Sequence, residues 1–415
     1  MELTWRWFGK KDKITLPMLR QIGVEGIVTA LHDVPLGEVW TREAIRDLRE
    51  YIESNGLRWS VVESLPVTET IKYGGPDRDQ QIETYKQSLR NLAAEGITTV
   101  CYNFMPVLDW ARTDLYHPNP DGTSNLYFSY AEFAYFDIYI LKRKGAREEW
   151  AAFHLFPGRV VLAEVEELRR TMTPEGEHRL VDNIIVKTQG FVSGNIREDD
   201  EHPLDIFRSL LARYEGIGRD ELRENMRYFL SAVIPVCDEC GVNLCVHPDD
   251  PPIPVLGLPR IVRTDEDIDW FLHAVDNPHN GLTFCAGSLS AGLQNDVTAL
   301  ARKYASRTHF VHLRSCHIFP NGDFTEASHL GGRADLVELC RIFESTNPRL
   351  PMRVDHGKTM LGDEARGYNA GYSFLGRMFA LAQMQGVLAV VKRPTPNPSH
   401  NGGEWVNQVK CLPDD

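Results

Sequence analysis

His247, Cys285, His312 and Asp355 are the residues of this chain whose types and placement could do metal chemistry. Each closes a short apolar run rich in β-branched residues: NLCVH, GLTFC, HFVH and MRVD. A stretch of helical character separates each run from the next. If the runs are parallel strands, their downstream ends converge at one rim of a sheet, and four donors placed there make one site. A single His or Cys near a strand end is more often a packed core residue. The shared rim is what turns these four into a ligand set. Two neutral imidazoles, a thiolate and a carboxylate suit Fe(II), Zn or Mn(II) and are too soft for Mg or Ca.

The elements that must position them recur along the chain. Strand-like runs stand at 3–7, 26–31, 58–64, 98–104, 243–248, 281–287, 309–314 and 352–357, and amphipathic, helix-forming stretches lie between them. Gly26, Gly56, Gly96, Gly241 and Gly281 precede strands, where a helix C-cap belongs. Eight such units predict an α/β fold, a closed (β/α)8 TIM barrel occupying residues 1–415 as one catalytic domain. Residues 105–220 hold too much chain for a connecting loop. They predict a largely helical insertion after strand four, with two readings open: a lid over the catalytic rim or a cap used for subunit contact. The Pro/Asn/Gly-rich stretch after about residue 392 predicts an extended arm.

Composition narrows the function classes. The 415 residues are 42% hydrophobic and 25% charged, with a net charge of −13 and no long basic run. That balance argues against a nucleic-acid partner and leaves room for a small anionic substrate. No basic-then-apolar leader opens the sequence, and no window approaches eighteen apolar residues, so neither a signal peptide nor a membrane span is expected. Eight scattered cysteines fit reduced thiols in the cytoplasm. Neither GxGxxG nor GxxxxGK[ST] is present, so nucleotide binding has no support.

Other candidates are weaker singly. Cys237-x-x-Cys240 falls in a helical stretch without a second pair downstream, and is read as helix packing. His32 and Asp33 end strand two, Glu63 ends strand three and Asn103 ends strand four, all on the same rim. Asp355 and His356 are adjacent, and neighbouring strand residues point opposite ways, so both reach one site only where the chain leaves the sheet. Tyr372, in GYNAGYSFLGR, is either a catalytic phenol or an anchor for the last helix. Arg314, two residues past His312, is the leading candidate to hold a substrate carboxylate.

Taken together the motifs resemble the mannonate dehydratase family, metal-dependent sugar-acid dehydratases on a xylose-isomerase-like barrel. The likeness runs nearly end to end: TWRWFG, GIVTALHDVPLGEVW, WSVVESLPV, YNFMPVLDWARTDL, VHPDDPP, GLPRIV, FCAGSL, FVHLR, EASHL, RVDHGKTM and GYSFLGR. The resemblance implies metal ligands at His247, Cys285, His312 and Asp355, and catalytic roles for Asp355, His356 and Tyr372. It also implies Mn2+ or Fe2+ as cofactor. Two segments depart from the family's pattern. RVDHGK stands for the usual RPDHGH, and HLGGRADL lacks an acidic run. Lys358 therefore either meets the substrate carboxylate or faces solvent.

The implied reaction is dehydration of D-mannonate to 2-keto-3-deoxy-D-gluconate, a lyase step of hexuronate catabolism. A proton leaves C2 beside the carboxylate, a divalent cation stabilises the enediolate, and the 3-hydroxyl departs. Tyr372 or His356 is the expected base on C2, and the other, or Asp355, the expected acid. Arg314, Lys358, Glu63 and Asn103 are the expected substrate contacts. A related sugar-acid dehydratase or a sugar isomerase or epimerase on the same barrel, a zinc nuclease and a non-catalytic binding protein are the alternatives. The substrate partner is a sugar acid, and a homo-oligomer is compatible with the sequence.

Overall fold

Apolar β-branched runs become strands because such side chains fit a pleated surface buried on both faces. The chain lays down β1 (Glu2–Arg6), β2 (Gly26–Thr29), β3 (Arg58–Glu63) and β4 (Thr99–Tyr102). An excursion follows, opening with β5 (Asp114–Pro118) and β6 (Ser124–Phe128). The chain then returns with β7 (Asn243–Val246), β8 (Asn280–Cys285) and β9 (Thr308–Leu313). A short pair, β10 (Cys316–Ile318) and β11 (Phe324–Glu326), precedes β12 (Pro351–Val354). The computed structural model describes residues 1–153, 158–192, 196 and 199–392. The arm expected after residue 392, and Cys411 with it, lie outside the described residues.

Eight parallel strands close a barrel in the order β1-β12-β9-β8-β7-β4-β3-β2. All eight expected runs are its staves, so the TIM-barrel expectation is met. Helices cover the wall. Arg42–Ser54 shows how one is specified: Thr41 caps it by accepting from Ala44 N, and Ile45, Leu48 and Ile52 form its buried stripe.

The excursion carries a strand pair as well as the helices expected of it. It is helical from Tyr130 onward, but its opening hairpin pairs with the loop after β9 to make a four-stranded antiparallel sheet, β10-β11-β6-β5. The aromatic, Arg-bearing stretch before residue 120 gave no period-2 signal for that hairpin. Phe128, Phe133, Phe136, Trp150, Ile184 and Phe207 build a core for this region apart from that of the barrel wall.

The last helix also departs from expectation. Phe374–Val391 is long and apolar enough to cross a membrane, with a mean hydropathy of 1.5. Here it lies along the barrel, contacting β12 and the helix Leu336–Thr346, with Ala380, Leu381, Met384 and Leu388 buried. A third of the segment is buried against the barrel, and Phe379 and Val390 stand exposed.

Candidate active site

Strand alternation explains where the site comes from. Val28, Val61, Cys101, Cys245 and Phe310 form one buried cluster inside the barrel. Two residues further along their strands stand Ala30, Glu63, Asn103, His247 and His312. The two-residue period sends these into the same interior, one layer nearer the rim. β7 stops at Val246 and β12 at Val354, so His247, Asp355 and His356 stand where the chain leaves the sheet. Cys285 closes β8 and pairs in register with His312 of β9.

Donor atoms of His247, Cys285 and His312 all lie within 4.8 Å of one another. His247 Nδ1 sits 2.6 Å from the carbonyl oxygen of Pro248, which takes that N–H and leaves Nε2 for the cluster. Burial opposes ionisation of the Cys285 thiol, but the Arg314 guanidinium and the His247 imidazole hold it well below the usual thiol range. Burial would likewise lower His247, yet the neighbouring Cys285 thiolate raises it to about 10. Cys285 is therefore in the state that binds metal. Among the described residues His312 Nε2 is buried with no hydrogen-bond partner, the Glu63 Oε1 oxygen standing off at 3.5 Å. Leaving such a nitrogen unsatisfied costs free energy, and a cation shared by the three side chains would remove that cost. The donor set fits a transition metal.

Asp355 adjoins the trio, with Oδ2 3.7 Å from both Cys285 Sγ and His312 Nδ1. Both oxygens already accept hydrogen bonds, Oδ2 from Arg314 Nε at 2.6 Å and Oδ1 from Arg353 Nη1. Burial disfavours its charge, but Arg353, His356 and Arg314 hold the carboxyl well below its ordinary range.

A second group stands beside the first. His356 Nδ1 lies 3.1 Å from Glu326 Oε1. Its ring packs against Trp110 at 4.7 Å and meets Tyr372 edge-on at 5.2 Å. Burial opposes charge on Glu326, yet Arg314 and Arg112 bring it down to about 2, so it is a carboxylate and accepts the His356 N–H. Burial and the Asp355 charge push the Tyr372 phenol above its usual range, which keeps its proton in place at neutral pH.

Of these groups, His247, Asp355, His356, Tyr372, Trp110, Arg314 and Arg353 line an inner cavity of about 40 Å³. It shares Arg6, Phe8, Ser64, Asn103 and Asp109 with an outer cavity of about 520 Å³, so those five residues form a neck. Asp109, Trp110 and Gly190 show that the excursion supplies part of the wall.

The family model for D-mannonate dehydratase (UxuA) matches residues 1–397. The chain belongs to the D-mannonate dehydratase family. It is 44% identical over 402 residues to the mannonate dehydratase of Chromohalobacter salexigens, covering 95% of this chain and 99% of the relative. The mannonate dehydratase of Marinomonas sp. is also 44% identical, with 93% and 98% covered. The crystal structure of mannonate dehydratase from Streptococcus suis serotype2 aligns with a TM-score of 0.75 at 32% identity, covering 98% of this chain and 99% of that one.

Within this family member the residues singled out from sequence fall into two sets. His247, Cys285, Glu63, Asn103, Asp355, His356 and Tyr372 surround the inner cavity or its donor trio, with His312 beside them. Arg314 also faces it, but every N–H of its guanidinium is engaged. Nε–H serves Asp355, Nη1 reaches Glu326 at 2.8 and 3.0 Å, and Nη2 serves Asp250 and, at 3.0 Å, Ser288. Its donors go to the protein's own carboxylates, so a substrate carboxylate has none to take. Lys358 lies outside both cavities, its Nζ 2.7 Å from Asp121 Oδ2. Glu63 accepts from Arg353 at 2.8 and 3.0 Å, and Asn103 donates to Asp109 at 2.6 Å. Cys237 is buried in the barrel-wall core.

Sequence reasoning missed Glu326, Asp250, Arg112 and Arg353. Arg112 bonds Asp250 at 2.6 and 3.1 Å and Glu326 at 2.8 Å, all three fully buried or nearly so. Alternating cations and carboxylates let so many charges share a dry interior; removing one partner from such a buried pair typically costs about 3–5 kcal/mol.

Proposed function

We propose that this chain dehydrates D-mannonate to 2-keto-3-deoxy-D-gluconate and water, using Mn2+ or Fe2+. One observation carries the reading: a His–Cys–His donor trio adjoins, through His247, a small cavity that a Glu-oriented histidine and a protonated tyrosine also line. The mannonate dehydratases to which the chain is similar supply the substrate. His247, Cys285 and His312 would hold the metal, with Asp355 as a fourth ligand that also accepts from Arg314 and Arg353. A divalent ion there supplies Lewis-acid polarisation of the substrate's carboxylate and 2-hydroxyl.

The chain's own residues do the proton work. Glu326 takes the Nδ1–H of His356 and leaves the Nε2 lone pair to receive the C2 proton. Tyr372, whose phenol is held protonated, donates to the departing 3-hydroxyl, which leaves as water. The enol tautomerises at C3 to the 2-keto acid. Release of the proton gained by His356 and uptake of one by the Tyr372 phenolate, both exchanged with water after product leaves, reset the pair. Glu63 and Asn103 line the wall for the substrate's hydroxyls. Reduced thiols of the cytoplasm suit a thiolate ligand, and the cysteines among the described residues are free.

The test is incubation of anaerobically purified, metal-loaded protein with a panel of hexonates. D-Mannonate is expected to yield a 2-keto-3-deoxy acid. An isomerised or epimerised sugar, or no product from any hexonate, contradicts the reading.

A further inference from the structure

The inner cavity is lined by three guanidinium groups, Arg6, Arg314 and Arg353, and the outer cavity adds Lys72. A carboxylate entering these cavities needs a cation with donors to give. Arg314 has none left, as described above. Arg353 gives Nε and Nη2 to Glu63 at 3.0 and 2.8 Å and Nη1 to Asp355. Lys72 Nζ donates to Glu69 Oε1 and to the Met105 carbonyl, both at 2.9 Å.

Arg6 differs. It ends β1, its backbone oxygen accepts from Arg377 Nη1 at 3.1 Å, and it lines both cavities at the neck between them. Its side chain is buried, with the residue 7% exposed. Among the described residues its Nε has no hydrogen-bond partner. Its one ion pair among the described residues is long, Nη1 to Glu63 Oε2 at 3.4 Å, and Glu63 already accepts two shorter bonds from Arg353. The guanidinium carbon stands 5.2 Å from the Phe8 ring centroid, so an aromatic face backs it. Among the described residues lining the two cavities, Arg6 is the cation with uncommitted donors.

We propose that Arg6 binds the carboxylate of the substrate, in the role the sequence assigned to Arg314. Resting on the sugar-acid reading above, the inference adds which residue recognises the acid. A guanidinium offers a carboxylate two parallel hydrogen bonds from a fixed fork, and burial strengthens both. Bound so, the carboxylate end of the acid faces the inner cavity that His356 and Tyr372 line, and its hydroxylated tail extends into the outer cavity. Arg314 becomes a positioning residue that aligns Asp355 and Glu326.

The experiment compares metal-loaded wild type, Arg6→Gln and Arg6→Lys, each checked for fold by circular dichroism and for metal by elemental analysis. The ligands are D-mannonate and its uncharged C1 amide. Arg6→Gln is expected to weaken D-mannonate binding about 30-fold or more while amide binding stays within about threefold of wild type. The loss of kcat/KM should come chiefly from KM. Arg6→Lys, a point charge in place of a fork, should fall between them, at about tenfold. Unchanged D-mannonate binding in folded, metal-loaded Arg6→Gln overturns the inference, as does equal loss of acid and amide. If Arg6→Gln does not fold, Arg6→Lys decides by the same comparison. If wild type binds hexonates without dehydrating any, the proposed reaction fails on its own. The acid-over-amide preference, lost or kept in the variants, then still decides the role of Arg6.

Discussion

Cys285→Ala is expected to strip the protein of its metal and abolish turnover, the largest single effect at this site. Cys285 supplies the only sulfur of the trio and is held as a thiolate by Arg314 and His247. Its removal takes away the softest donor and leaves the charge of His247 without its partner. Loss of a residue behind a ligand typically costs 10–100-fold in metal affinity, so loss of the ligand itself should exceed about 100-fold. Elemental analysis after dialysis is the measurement. A Cys285→Ala protein that keeps its metal and its activity removes Cys285 from the site.

Tyr372→Phe should leave metal content at the wild-type level and cut kcat by about 10²–10⁴, the usual worth of a positioned acid. The phenol is pushed up by burial and by Asp355, so it is protonated at neutral pH and no phenolate is at hand to act as the base. That asymmetry yields a sharper test than rate alone. With His356 intact, Tyr372→Phe should still exchange the C2 hydrogen of D-mannonate with deuterated solvent while failing to expel the 3-hydroxyl. His356→Asn should lose both exchange and dehydration. If Tyr372→Phe keeps kcat and raises only KM, the tyrosine is a binding residue. If it loses exchange while His356→Asn keeps it, the two roles are reversed.

Much of this arrangement was legible in the sequence because a barrel converts one-dimensional order into position. A donor at the downstream end of an apolar run has few places to go once eight runs close a cylinder. His247, Cys285 and His312 met on that ground alone, and Asp355 came beside them. The pairing of Asp355 with His356 was legible too, because both lie past Val354, where β12 ends. Glu326 was not legible. It sits on a three-residue strand, β11, whose partner β6 lies nearly two hundred residues upstream, and nothing periodic marks either. Arg112 and Asp250 come from loops, where spacing carries no geometric information. The role expected of Arg314 shifted for a related reason. Sequence places a residue at a rim but says nothing of how many carboxylates already surround it, and here Asp250, Glu326 and Asp355 converge on one guanidinium.

The central claim is that one sulfur and two imidazoles from adjacent strands hold a single metal ion. X-ray absorption at the metal edge, on anaerobically loaded protein without substrate, tests it most directly. The account predicts a first shell with one sulfur near 2.3 Å, the distance of a metal–thiolate bond, together with two imidazole nitrogens. A shell of oxygen and nitrogen alone, with no sulfur scatterer, would contradict it.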